Sequence, residues 1–104
     1  MERVEYFKNY KKYLQEIAEL VSKICKDFEI FVFGSLIRGD FSIGLSDIDV
    51  AIVSNEFENR EKRLMVYDLL FNKYFDSPFE FHLLTKEKWE KFLKFVGKDF
   101  EKID

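Results

Sequence analysis

Apolar residues recur every three or four positions over residues 2–26, at Val4, Phe7, Tyr10, Leu14, Ile17, Leu20 or Val21, and Ile24, with Lys and Glu between them. That period predicts one amphipathic helix with a single core-facing stripe. Residues 28–33 then form an aromatic and β-branched run that stops at Gly34, which predicts a buried strand closed by a turn. Residues 36–41 read as a short helical turn, and residues 42–46, around Gly44, as a loop. A second strand follows at 48–53. Helical spacing returns over 58–74 through Leu64, Tyr67 or Asp68, Leu70 or Phe71, and Tyr74 or Phe75. Asp76-Ser77-Pro78 breaks that helix, and because proline has no N–H for a ladder, Pro78 opens a third strand, 79–84. Thr85 is placed to cap a last helix, 86–96, and Gly97 to end it. This order predicts the α/β class: a small mixed β-sheet of three to four strands flanked by helices.

A chain of 104 residues supports one core and one domain, 1–104, which buries about two-thirds of its unfolded surface. Any task that needs a second domain falls to a partner. Apolar residues at 47% exclude a disordered chain, and 13 Phe exceed what one small core consumes. The excess points to an interface, with a partner or with a second copy in a homo-oligomer. A net charge of -3 steers the chain toward neither nucleic acid nor an anionic membrane, so direct nucleic-acid binding is not expected. The single Cys25 excludes a disulfide framework and falls in an apolar pattern, as an inert buried thiol does. No apolar run reaches membrane-spanning length, and the first residues carry acids without the apolar centre of a leader. A soluble, cytoplasmic protein is expected.

Chemistry enters with the acids. Residues two apart on a strand share a face, so Asp47 and Asp49 project together while Ile48, Val50 and Ile52 project to the opposite side. Glu80 shares a face with His82 and Leu84, while Phe79, Phe81 and Leu83 turn away. If these strands are neighbours, three carboxylates meet at one sheet edge. Two such charges about 4 Å apart repel by roughly 4 kcal/mol at an effective dielectric near 20, so the cluster must take up protons or a cation. All-oxygen ligands suit Mg²⁺, which favours one or two carboxylates together with phosphate oxygens. The Gly34-Ser35 turn supplies the complement, because Gly34 lets backbone approach an anion and the Ser35 hydroxyl can donate to one. Arg38 adds a charge-assisted donor. No GxxxxGK[ST] segment is present, so the turn is not a P-loop.

Each part has a plainer reading. A Gly-Ser turn or an Asp-x-Asp pair is common alone, and Arg38 can pair locally with Asp40. Only the combination carries a nucleotide site. His82 reads as structural or as a support for the acids rather than as a base. Trp89, Phe92 and Phe95 sit at helical spacing and read as core or interface.

Gly34-Ser35, the pair Asp47-Ile48-Asp49 and the later acid Glu80 resemble the minimal nucleotidyltransferase branch of the DNA polymerase beta-like nucleotidyltransferase superfamily. GSLIRGD also resembles that family's frequent GSxARG turn. Eleven residues separate Ser35 from Asp47, one more than the usual form, which makes the loop 41–45 the place to look for departures. The resemblance implies the nucleotidyltransferase fold and a reaction that uses ATP and two Mg²⁺ ions. It casts Asp47, Asp49 and Glu80 as metal ligands and catalytic residues, with Gly34, Ser35 and Arg38 on the phosphates. Glu80 or Asp49 would take the acceptor proton. Such proteins are often encoded beside a helical HEPN toxin with ribonuclease activity, and the pair is similar to a system in which AMP passes from ATP to a tyrosine of the toxin. The chain would then be the antitoxin. The alternatives are an antitoxin that masks its partner without catalysis, and transfer to a small molecule or an RNA end.

Overall fold

The computed structural model describes residues 3–103. Four strands, β1 Glu29–Phe33, β2 Ile48–Val53, β3 Phe79–Leu84 and β4 Phe100–Ile103, form one sheet in the order β3-β2-β1-β4. Strand β2 runs antiparallel to β1 and parallel to β3, and β4 runs antiparallel to β1. Around the sheet lie α1 Arg3–Lys8, α2 Tyr10–Val21, α3 Ser35–Arg38, α4 Arg60–Tyr74 and α5 Lys86–Val96. The mixed sheet with flanking helices is the architecture that the apolar pattern predicts. Among the described residues no helix is long and apolar enough to cross a membrane.

Alternation along the strands divides the molecule into two cores. Ile30, Val32, Ile48, Val50, Ile52 and Phe79 face Leu14, Ile17 and Val21 of α2 and Val66 and Leu70 of α4. Phe31, Phe33, Ala51 and Val53 face the other way, against Trp89 of α5, whose ring stacks on Phe31 at 4.7 Å. Covering both faces explains why β2 is a continuous apolar run after Asp49. Full burial of each such aliphatic side chain contributes about 1.5–3 kcal/mol. Replacing one by a charge would therefore break the sheet, and the acids survive only at its edge.

Several boundaries differ from the expectation. The helix expected over 2–26 is two helices, and its first position lies outside the described residues. Asn9 separates them with φ -117 and ψ 32, off the helical region, while its amide donates to Glu5 Oε1 at 2.9 Å. A local side-chain bond of this kind competes with the helix ladder. Ile24 lies beyond α2, which ends at Val21 in a turn where Cys25 N–H donates to the Val21 carbonyl. Cys25 is buried, and burial pushes its thiol pKa up. Helix α3 spans Ser35–Arg38 rather than 36–41 because Gly39 adopts the left-handed conformation and ends it. Strand β1 begins at Glu29 rather than at 28.

Helix α4 starts at Arg60, two residues later than expected, after a 3-10 turn Asn55–Glu58 and the cap Asn59. Its buried stripe is Val66, Leu70 and Tyr74; Leu70 and Tyr74 are among the positions expected to face the core, while Leu64 and Tyr67, also expected there, and Phe71, the alternative to Leu70, are exposed. Thr85 caps α5 and Gly97 ends it, as the sequence suggests. Strand β4 has only Phe100 and Ile103 as apolar residues, too few for an alternating signal, and it forms by pairing with β1.

Candidate active site

Strand register gathers the chemistry. Phe33, the last residue of β1, stands opposite Asp49 in β2, and Asp49 stands beside Glu80 in β3. The end of β1 therefore meets the beginnings of β2 and β3 at one sheet edge, and the Gly34-Ser35 turn leaves β1 at that edge. Gly34 has φ 86 and ψ -152, a conformation that only glycine adopts cheaply. A Cβ there would fall 2.5 Å from Asp49 Oδ2. The turn's backbone is thus pressed against the carboxylate.

One ligand atom each from Asp49, Glu80 and His82 lies within 4.8 Å of the others. His82 Nε2 is 3.4 Å from Asp49 Oδ1 and 3.9 Å from Glu80 Oε1, and its ring packs against Phe33 and Phe92, which also touch each other edge to face. Asp47 is exposed, just before β2, outside that group of three, and its carboxylate adds to the crowding at Glu80. Burial raises the Glu80 pKa, the Asp49 charge adds to the rise, His82 opposes it, and Asp47 adds a smaller push. The crowding creates a demand for positive charge that a proton or a cation can meet. This donor set, rich in carboxylate oxygen, fits a hard divalent cation such as Mg²⁺. Of the three expected ligands, the structure brings Asp49 and Glu80 into one coordination-sized group and Asp47 to its rim. His82, read from sequence as a support, stands inside the group.

All six residues singled out from the sequence, Gly34, Ser35, Arg38, Asp47, Asp49 and Glu80, line one cleft of about 340 Å³, walled by Phe92 and Phe95 of α5. Arg38 also pairs with Asp40 at 3.3 Å, so its plainer reading holds as well. That pair is exposed, and exposed pairs are weak enough to exchange for a stronger anion. The description "Nucleotidyltransferase domain" matches residues 10–102 of the chain. The chain belongs to the nucleotidyltransferase domain family. A crystal structure of a provisionally named nucleotidyltransferase is 47% identical, with a TM-score of 0.79, over 88% of this chain and 98% of that one. Another, from Sulfolobus solfataricus and also provisionally named, is 25% identical, with a TM-score of 0.67, over 98% of this chain and 86% of that one. No curated protein matches the chain.

Nucleotidyltransferases use a nucleoside triphosphate and a divalent metal, and the acid cluster meets the second need. In this nucleotidyltransferase the spacer ahead of Asp47 is tied down from a distance. Arg3 Nε donates to the Ile43 carbonyl at 2.7 Å, and the same guanidinium donates to the Ser46 carbonyl. Phe7 stacks on Phe41 at 5.2 Å and 11°. Within the loop, Ser42 N–H donates to Ser46 Oγ at 2.8 Å. Helix α1 thus holds the segment that delivers Asp47. Arg3 carried no sequence signal, since nothing local to it announces a partner forty residues on.

Proposed function

We propose that this nucleotidyltransferase moves AMP from ATP to a tyrosine of a HEPN-type helical toxin, in the cytoplasm, and so acts as its antitoxin. The observation that carries the reading is the shared cleft, in which the Gly34-Ser35 turn and Arg38 face Asp47, Asp49 and Glu80. Gly34 and Ser35 present donors to the β- and γ-phosphates, and Arg38 exchanges Asp40 for a phosphate oxygen. Asp47, Asp49 and Glu80 would hold two Mg²⁺ ions, which when bound supply charge stabilisation to the entering and leaving oxygens. His82, packed against Phe33 and Phe92, steadies the Asp49 carboxylate. The acceptor oxygen bonds to the α-phosphorus, the bond to the bridging α–β oxygen breaks, and pyrophosphate leaves. The acceptor proton passes to Glu80 or Asp49.

A second reading, masking without catalysis, is favoured by the exposed rings of Tyr67, Phe71 and Phe75, which suit a protein contact. Incubating this chain and a HEPN-type helical protein, the proposed partner, with Mg²⁺ and ATP labelled at the α- or the γ-phosphate separates the two. Transfer leaves the α-label on the partner and the γ-label in pyrophosphate. A stable complex with no α-label decides for masking.

A further inference from the structure

A second cleft, of about 330 Å³, also reaches the acids. Asp47 and Glu80 line both clefts. The walls of the second are aromatic: Tyr67, Phe71 and Phe75 of α4 and its end, and Phe79 and Phe81 of β3. Spacing of four places Tyr67, Phe71 and Phe75 on one stripe, beside the buried stripe of Val66, Leu70 and Tyr74. The Tyr67 and Phe71 rings lie 6.1 Å apart at 10°, and Phe75 follows at 6.5 Å. Phe71 is 54% exposed and Phe75 71% exposed. A helix apolar on two adjacent stripes, one of them open to water, is built to be covered.

We propose that this aromatic cleft docks the acceptor, an apolar protein segment that presents a hydroxyl side chain to Asp47 and Glu80. The inference rests on the AMP-transfer reading, which fixes the direction of attack. With the phosphates held by the Gly34-Ser35 turn and Arg38, pyrophosphate leaves into the first cleft, so the entering oxygen comes from the opposite side of the acids. The aromatic cleft, which Asp47 and Glu80 line as well, is assigned to that side. Two carboxylates and no Lys or Arg are among its lining residues, with Lys73 nearby only over the ring of Tyr74, which also lines it, at 5.9 Å, so an RNA end is disfavoured. Large aromatic walls instead suit buried apolar or aromatic side chains at the centre of a protein contact.

The test is a titration of the full chain, saturated with Mg²⁺ and α,β-methylene-ATP, with an amidated peptide whose one tyrosine is flanked by leucines. Wild type is expected to bind the peptide, and the double variant Phe71→Ser with Phe75→Ser to bind it at least about tenfold more weakly. The double variant keeps its melting temperature and its affinity for the ATP analogue, since both rings are exposed and outside the first cleft. Undiminished peptide binding by the variant, or no binding by wild type at millimolar peptide, overturns the docking site. A loss of ATP-analogue affinity in the variant overturns it too, because the cleft would then hold the base. Repeating the titration with ATP separates the two layers. Peptide that binds in the cleft but gains no AMP leaves the docking site standing and removes the transfer reading.

Discussion

Gly34 and Asp49 are fitted against each other so closely that a single methyl group on Gly34 would stand 2.5 Å from the Asp49 carboxylate. The glycine is required twice, by its positive φ and by this approach. Gly34→Ala is expected to cost about 1–3 kcal/mol through backbone strain, measured by urea denaturation. Displacing Asp49 by a fraction of an ångström to an ångström should lower turnover of ATP by up to about 100-fold.

Glu80 faces Asp47 and Asp49 with too little positive charge around it, and its pKa is raised, first by burial and next by the charge of Asp49. Glu80→Gln removes that repulsion. Without metal the variant should melt a few degrees above wild type at neutral pH. Added Mg²⁺ should raise the melting temperature of wild type and leave the variant nearly unmoved. A larger Mg²⁺ shift in the variant would remove Glu80 from the metal site.

Arg3 reaches across to Ile43 and Ser46 and so steadies the segment that ends at Asp47. Arg3→Ala should cost about 1 kcal/mol of stability, the scale of exposed hydrogen bonds. Its effect on function should be larger, about a tenfold fall in kcat with the KM for ATP unchanged, because Asp47 is positioned through the loop. Arg3→Lys, which keeps one donor, should recover part of the rate.

Glu56 gives a pH dependence away from the site. Its Oε2 accepts from the Lys26 and Asp27 N–H groups at 2.9 and 2.8 Å, and its Oε1 pairs with Lys62 at 2.8 Å. The bond from Lys62, followed by the Asp27 N–H, holds its pKa below the ordinary carboxylate value. A lowered folded-state pKa contributes stability that is present above the unfolded value and lost as pH falls through the folded one. Glu56→Gln should therefore be less stable than wild type at pH 7, and urea melts should show the gap closing progressively below about pH 4.

Period-two alternation was enough to read the faces of β2 and β3. Ile48, Val50, Phe79 and Phe81 turn to the helices at one side, and Asp49 and Glu80 turn to the other. Such readings succeed because the pleat is local physics. The register that sets Asp49 beside Glu80 is not local, and the sequence supported it only as a condition. The same limit hid His82's place among the acids, Arg3's reach to the spacer and the pairing that creates β4. On α4 a helical period marked an apolar surface but not which of two adjacent stripes the core would take. Packing chose Val66, Leu70 and Tyr74, and left Tyr67 and Phe71 outside.

The spacer ahead of Asp47 is anchored at Phe41 by Phe7 and at Ile43 and Ser46 by Arg3, so its end is held in place before Asp47 begins the acid pair.

Intact mass of a HEPN-type helical protein, the proposed partner, after incubation with ATP, Mg²⁺ and either wild type or Asp49→Asn tests the central claim most directly. The wild-type protein should add the mass of one AMP unit or more. Asp49→Asn, with unchanged circular dichroism, should add AMP at least about 100-fold more slowly, as expected when a group that stabilises the developing charge is removed. Transfer by Asp49→Asn at the wild-type rate, or no added AMP with wild type, would contradict the account.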